Sequence, residues 1–584
     1  MVPSSSAEYG PAMSWSLDRR DALALTILGL IGVGIPLWLA AAAGAIGLPT
    51  IDDWVYMRGA ENLYRNGSLD MPGHTSAAIG QLVLVQPLLW LSGGSTWAFT
   101  AFGLIMTLVG IVATYLLARR FIGTGSAAMV VLLVLAVPGV ARLSASYMTD
   151  IPAYALIMLC LLLGTRWLQE GQGSRPGEGG PGPGEGGRLT LLASLGLGLV
   201  AVSIREFAIA APIAVLAASW SRSRADERVW LTGASTAFLV GAGGVLALAV
   251  LAPGRGSVVA SDVLAPLIFL PAAFVSLAAM LMPVLVLAIG RRMSTLSQPQ
   301  LLLAAGLVLF LFVPPLGDRP GGGGNLWTPV GVLGDGVLFG ARPVVLDASV
   351  WALSKDLAAF ATMLMLALVM RWGHRRFASV GSGSSAVAFV IDAARGPHGL
   401  LTLFLVAYSA ELVVFSQVWL YDRFLYPLVP IAGILLLRQP VRIPLGSRSL
   451  AFSHAAIAWL AVTAFVIAAN SFSYDAARWR EGEAAVALGF DAKTVDAGYE
   501  WVGYHSSSVA SSGSGTYDLT WYDDALLPAP PCAVLSSSRL DDGARRLIRV
   551  NTAAYRQYLF FGPEEPLFLY GATADGCPPL PSGT

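Results

Sequence analysis

The sequence predicts an α-helical polytopic membrane protein of about thirteen spans, ending in a small mixed α/β domain. Three observations carry that expectation. The 584-residue chain is 55% hydrophobic and 12% charged, whereas a soluble domain carries about 25% charged residues. Its apolar residues gather into runs, many of them long enough to cross a bilayer. Beyond residue 470 the composition turns polar and aromatic. A formal net charge of zero, with no clustered basic face, gives no reason to expect a nucleic-acid partner.

Residues 1–18 lack the cleavage pattern of a signal peptide, and Arg19 and Arg20 precede the first apolar run. Residues 22–46 therefore read as an uncleaved anchor. Further spans are expected near 97–118, 124–141, 151–168, 189–204, 206–220, 230–252 and 263–290. The series closes with 300–316, 349–370, 399–420, 424–437 and 449–470. The run 206–220 is short and reads as tilted or re-entrant. Arginine placement sets the orientation. With the N-terminus inside, the inner loops hold Arg119, Arg120, Arg166, Arg222, Arg224 and Arg228, then Arg291, Arg292, Arg371, Arg375, Arg376, Arg438 and Arg442. An odd span count then puts the C-terminus outside, in a multi-pass protein of the plasma membrane.

Residues 77–93, "AAIGQLVLVQPLLWLSG", are short and interrupted by Gln81, Gln86 and Pro87. Counting them as a span would turn Arg119 and Arg120 outward, so they read as an interfacial helix. The first outer loop accordingly runs from 47 to 96. Residues 171–188, "GQGSRPGEGGPGPGEGGR", are a flexible cytoplasmic linker. The glycines of 317–325 make an outer loop and not a phosphate cradle, since no lysine or helix start follows at the required spacing. The chain thus divides into a membrane domain, 1–470, and an outer domain, 471–584. Cys160, inside an apolar run, is a packing residue. Cys532 and Cys577 pair if the outer domain meets an oxidising compartment, and otherwise stay thiols.

The candidate chemistry lies on the outer side. In "TIDDWVY", Thr50 stands where an N-cap should, with Asp53 three residues on, a capping-box arrangement that gives Asp53 a structural task. Asp52 lacks that task and shares a helix face with Tyr56. The helix dipole favours the ionised form of both carboxylates, which can then accept a proton or hold a divalent cation. The plain alternative is helix capping by solvated acids. Asp150, in "YMTDIPAY", precedes Pro152 and reads first as a helix-start residue. Yet it opens onto the same face as Asp52. Arg205, followed by Glu206 in "VSIREFAIA", lies between two apolar runs with no real loop, a costly place unless it lines a polar cavity. Arg423, in "WLYDRFLYPLVP", has Asp422 beside it and Tyr421 and Tyr426 around it. Either it pairs with Asp422 and snorkels, or its planar fork binds phosphate. Carboxylates and arginines on one outer cavity suit transfer from a lipid-anchored phosphate ester. The aspartate takes the acceptor's proton, and arginine stabilises the departing phosphate.

The five histidines are scattered without metal-ligand spacing. Only His74 and His505 face outward, and His74 is kept as a substrate-side candidate. No Ser-His-Asp order or GxSxG motif occurs.

The arrangement resembles the GT-C membrane glycosyltransferases, specifically the protein O-mannosyltransferase and aminoarabinose-transferase-like superfamily. The matching residues are "DDWVYMRGAENLYRNG", "MTDIPAYAL", "IREFAI" and "YDRFLYPLVP", in order along the chain. The resemblance implies transfer of a sugar, mannose by that likeness, from a polyprenyl-phosphate donor to a hydroxyl of a protein, glycan or lipid, with inversion. It implies Asp52 as base, Asp53 and Asp150 as supporting carboxylates, and Arg205 and Arg423 on the donor phosphate. Tyr56, Glu206, Tyr421, Asp422, Tyr426 and His74 would line the substrate. Beyond the donor itself the one cofactor left open is a divalent cation on the carboxylates. Relatives of the aminoarabinose type carry a lysine in the interfacial helix, whereas residues 77–93 hold neither lysine nor arginine. That departure leaves donor identity open. The competing reading is a transporter or flippase of a lipid-linked sugar. Transporters place ionisable groups near the midplane, often in paired halves. Here the charges sit at the outer ends of spans, and no internal repeat is evident.

Overall fold

The computed structural model describes residues 17–69, 71, 77–170, 185–223, 225–251, 265–289, 298–311, 326–328, 338, 343–379, 398–417, 420–438, 448–506, 526–527, 531–540, 547–559, 561–572 and 577–579. Each of the thirteen apolar runs carries a helix. The first stretch holds α1 (Arg19–Ala43), α2 (Asp53–Asn66), α3 (Ile79–Ser92), α4 (Trp97–Arg119), α5 (Thr124–Leu135) and α6 (Val140–Ser144). Next come α7 (Asp150–Glu170), α8 (Glu185–Val202), α9 (Ala210–Arg222), α10 (Ala225–Leu251) and α11 (Ala265–Ile289). The series ends with α12 (Gln298–Leu311), α13 (Ala348–Ser379), α14 (Gly399–Phe415), α15 (Leu428–Leu437), α16 (Arg448–Ala487) and α17 (Tyr499–His505).

Seven helices among the described residues are long and apolar enough to cross a membrane, and the chain is a multi-pass membrane protein. Burial separates core from rim. The apolar window of α11 is 89% buried and that of α10 is 17% buried, so α11 is central while α10 turns apolar sides outward, as a lipid-facing helix does. At one end of the bundle Asp21 accepts from Tyr115 at 2.6 Å, Arg119 at 2.9 Å and Thr124 at 3.2 Å, tying α1 to α4 and the start of α5. Gly103 on α4 lets the 144–146 loop approach closely, since a Cβ there would stand 2.4 Å from the Ser146 carbonyl oxygen. That loop leads directly into Asp150.

Several expected boundaries shift for physical reasons. The 424–437 run begins as a 3₁₀ turn, Asp422–Leu425, and becomes α-helical only at Leu428. The run 206–220 likewise opens with a 3₁₀ turn, Glu206–Ile209, before α9. Helix α16 does not stop with its apolar stretch but continues to Ala487, so position 470 falls inside a 40-residue helix. Of the expected linker 171–188, residues 171–184 lie outside the described residues and 185–188 instead open helix α8, while the glycine loop at 317–325 lies outside the described residues.

Around the far end of α16 stands a four-stranded sheet in the order β1-β2-β4-β3, formed by β1 (Val495–Asp496), β2 (Ala533–Ser536), β3 (Leu547–Arg556) and β4 (Glu564–Ala572). The β1–β2 pair is parallel, and β2–β4 and β3–β4 are antiparallel, with a bulge near Asn551. Cys532 and Cys577 form a disulfide beside β2. Cys160 is free and fully buried, as a packing residue should be.

Candidate active site

The site begins in the loop after α1. The expected capping box is displaced. Helix α2 starts at Asp53, its N-cap is Asp52, and no side chain caps it. Asp53 is fully buried, and its carboxylate accepts from the Thr50 backbone N–H, from Thr50 Oγ1 at 3.1 Å and from the Tyr147 N–H at 3.2 Å. Half of the box survives, because Asp53 reaches back to the Thr50 amide, while the Thr50 hydroxyl donates to the acid instead of capping the helix. The expectation that the dipole holds Asp53 ionised is corrected. Burial outweighs it and the three hydrogen bonds, pushing the acid up to about 8. Through Tyr147 this residue also fixes the segment that enters α7. Tyr147 in turn exchanges hydrogen bonds with Gln81 of α3, at 2.6 and 3.0 Å.

Four charged residues then meet. Asp150, at the first turn of α7, lies 3.3 Å from Arg205 Nη2 and 3.8 Å from Arg423 Nε. Arg423 Nη2 lies 3.8 Å from Asp52 Oδ2. Arg205 occupies the extended break between α8 and the 3₁₀ turn, and Arg423 the 3₁₀ turn before α15. Each irregular segment aims a long side chain inward. Phe424 lies between the two cations, 5.4 Å from the Arg205 guanidinium and 5.8 Å from that of Arg423, with Tyr421 5.0 Å from Arg423 on another side. Side-chain exposure separates the roles. Asp150 is 2% exposed, Arg423 4% and Arg205 10%, whereas Asp52 is 44% exposed. Asp52 is the carboxylate an incoming group can reach.

The remaining candidates divide. Asp422 does not pair with the Arg423 guanidinium; its buried carboxylate accepts from the backbone N–H groups of Leu326, Trp327 and Arg423 at 3.1, 2.6 and 2.8 Å. It thus shapes the turn that presents Arg423, and burial raises it to about 6. Tyr426 is buried and donates to the Pro138 carbonyl at 3.1 Å. Tyr56 is buried in α2, within electrostatic range of Arg205, as is the half-buried Glu206. His74 lies outside the described residues, and His505 packs on Trp501 with ring centroids 4.1 Å apart, in the C-terminal unit.

No protein-family model matches the chain, and no curated protein matches it either. Solved proteins to which its fold is similar include the following three. The oligosaccharyltransferase AglB of Archaeoglobus fulgidus aligns over 81% of this chain and 60% of its own, at 13% identity and a TM-score of 0.43. The chain therefore spans about three fifths of that protein's length. ArnT of Cupriavidus metallidurans aligns over 95% of this chain and 99% of its own, at 12% identity and a TM-score of 0.41. The arabinosyltransferase EmbB of Mycobacterium smegmatis aligns over 70% and 42%, at 14% identity and a TM-score of 0.32. At these values the site stands on its own geometry.

Sequence reasoning missed the C-terminal contribution. Tyr499 of α17 donates to Asp52 Oδ1 at 3.1 Å, and Glu500 accepts the Ile51 N–H at 3.0 Å. Helix α17 lies on α2 with Tyr499 edge-on to Trp54 at 5.8 Å and Arg58 donating to the Gly503 carbonyl at 2.9 Å. A Cβ on Gly503 would stand 2.3 Å from the Trp54 ring, so only glycine permits this approach. One signal was available. Arg142, in the apolar "VPGVARLSAS", is as costly there as Arg205, and it heads the buried pairs that lead to Glu500.

Proposed function

We propose that the protein is a membrane glycosyltransferase that moves a sugar from a polyprenyl-phosphate donor to an acceptor hydroxyl on the outer face of the plasma membrane. The observation that carries the reading is the Asp52–Arg423 juxtaposition: a half-exposed carboxylate 3.8 Å from a buried guanidinium. Among the described residues, Nε and Nη1 of Arg423 and Nε of Arg205 are buried without a hydrogen-bond partner. Buried guanidinium donors call for an anion, and phosphate oxygens match their planar geometry.

The chemistry is a single displacement. Asp52 takes the proton of the acceptor hydroxyl, and the freed oxygen pair attacks the anomeric carbon. The bond from that carbon to the phosphate oxygen breaks on the opposite side, which inverts the centre. The electron pair leaves with polyprenyl phosphate, whose charge faces Arg205 and Arg423. Asp150 keeps both guanidinium groups in place. The motif order of the GT-C superfamily supports the same roles, with mannose as the first sugar to try.

The test uses purified protein with polyprenyl-phosphate mannose, glucose and arabinose, following release of the lipid phosphate. Turnover of one of these that is lost in Asp52→Asn, with normal insertion and purification, is the expected result. No release from any donor, together with sugar-lipid movement across vesicles, would favour a flippase instead. Retained release in Asp52→Asn would remove this residue as the base.

A further inference from the structure

A buried chain of charges runs from the helical bundle into the loop before Asp52. Arg142 Nη2 lies 2.6 Å from Asp475 Oδ2, and Arg478 Nη2 lies 3.2 Å from Asp475 Oδ1. Arg478 Nη1 lies 2.6 Å from Glu500 Oε2. All four side chains are at most 3% exposed, and the two cations balance the two anions. The chain ends where Glu500 Oε1 accepts the Ile51 N–H. Ile51 has φ of 58°, in the left-handed region. A β-branched residue adopts that conformation at a cost, and it persists only where the surroundings hold it. The residue it aims is Asp52.

The neighbour of Glu500 grips the side chain itself. Tyr499 donates its hydroxyl to Asp52 Oδ1, and this occupies one carboxylate oxygen. Oδ2, 3.8 Å from Arg423, is beyond hydrogen-bond distance of that group and faces the donor side. We propose that the C-terminal unit completes the transfer site, with Tyr499 and Glu500 as positioning residues that select Asp52 Oδ2 as the atom receiving the acceptor's proton. The inference rests on Asp52 being the base.

The charges facing Asp52 come from several elements. Arg423 and Tyr421 stand at the 3₁₀ turn before α15, and Arg205 beyond them in the break after α8. Tyr499 and Glu500 come from α17, and Asp53 lies next along α2. Of these, Tyr499 is the one whose hydroxyl hydrogen-bonds the carboxylate, so its removal tests that contact, together with the hydroxyl's contact to the Trp54 side chain. A hydrogen bond donated to an ionised acid stabilises the ion, and losing it raises the proton affinity. A base works only when unprotonated. The acidic limb of the kcat/KM profile should therefore move to higher pH in Tyr499→Phe, by about one unit.

The measurement is lipid-phosphate release from polyprenyl-phosphate mannose, or from whichever donor of the panel the wild-type protein turns over, between about pH 3 and 8, a range that reaches below the ordinary carboxylate value. Asp52→Asn runs alongside, and thermal unfolding of each variant in detergent checks the fold. The expected result is a roughly tenfold loss at the low-pH end, recovery toward wild-type rates at high pH and an unchanged donor KM. An unmoved limb in Tyr499→Phe, whether the rate is normal or uniformly reduced, overturns the proposal while an inactive Asp52→Asn leaves the base assignment standing. Turnover at the wild-type rate in Asp52→Asn overturns both.

Discussion

Arg423→Ala is the perturbation with the most direct consequence. The wild-type guanidinium is 4% exposed, faces Asp52 and Asp150 at 3.8 Å each, and has two nitrogens without hydrogen-bond partners among the described residues. Neither carboxylate is within hydrogen-bond distance, so the cation is neutralised in charge but left unsatisfied as a donor. A phosphate arriving there gains charge-assisted hydrogen bonds worth about 1.5–3 kcal/mol each. Taking one such bond at its upper end, about 2.8 kcal/mol corresponds to a hundredfold change in binding. Asp150 keeps its Arg205 partner at 3.3 Å, so the acid is not left uncompensated and the fold should survive. The assay is competitive inhibition of transfer by free polyprenyl phosphate, which reads binding apart from the chemical step. Arg423→Ala should raise the inhibition constant about a hundredfold, and Arg423→Lys, which keeps charge but loses the fork, should fall between. An inhibition constant unchanged in Arg423→Ala would refute phosphate recognition here and leave its buried donors unexplained.

Three further outcomes follow from the same geometry. Asp53→Asn replaces an acid that accepts N–H groups from both Thr50 and Tyr147 with an amide having one acceptor oxygen, at a cost of about 1–3 kcal/mol. Its folded-state value near 8 lies above the ordinary 3.8, so the contribution of this acid to stability is complete at low pH and declines as pH rises toward 8. The gap in melting temperature between wild type and Asp53→Asn should accordingly narrow from about pH 4 to 8, the window set by these values, and a gap that widens would contradict the buried-acid assignment. Gly503→Ala should lower the melting temperature through about 1–3 kcal/mol of overpacking against Trp54 and reduce transfer by undocking α17; a wild-type melting curve and rate would mean that α17 shifts freely. Transfer should persist in EDTA, since a divalent cation would compete for Asp52 with Arg423 and for Asp150 with Arg205; loss of turnover restored by Mg²⁺ would place a cation beside Asp52.

The helical runs were legible because hydrophobic length is a local property, and each expected span carries a helix. Their ends were less so. The stretch after 470, "SFSYDAARWREGEAAVA", reads as departure from the membrane because of its charges. Two of those charges, Asp475 and Arg478, are buried and paired, so they do not end the helix but carry it into the C-terminal unit. The capping box survives only in half for a similar reason. Its logic treats Asp53 as a solvated helix-end group, whereas tertiary packing buries it against Tyr147. Charged residues at span ends announced Asp52, Asp150, Arg205 and Arg423, since a charge beside an apolar run demands an explanation. Tyr499 and Glu500 lie in polar sequence, where such residues demand none. Only the fold distinguishes them from surface.

The two charge sets meet at a single point of the backbone. Asp52, Asp150, Arg205 and Arg423 balance among themselves, and so do Arg142, Asp475, Arg478 and Glu500. Both depend on the Ile51–Asp52 peptide, whose N-terminal residue is held by one set and whose C-terminal side chain belongs to the other. Breaking a buried pair costs more than never having formed it, because the surviving charge is left without a partner. Removing Arg478 should therefore act at a distance: Glu500 would be left buried without its cation beside the Ile51 amide, and transfer should fall in Arg478→Ala although the Asp52–Arg423 cluster is unchanged, whereas a wild-type rate would show the two sets to be independent. A membrane bundle alone can supply the cations for a lipid phosphate. In the proposed transfer, the orientation of Asp52 toward them rests on residues about 450 positions later in the chain, Tyr499 being separated from Asp52 by 447.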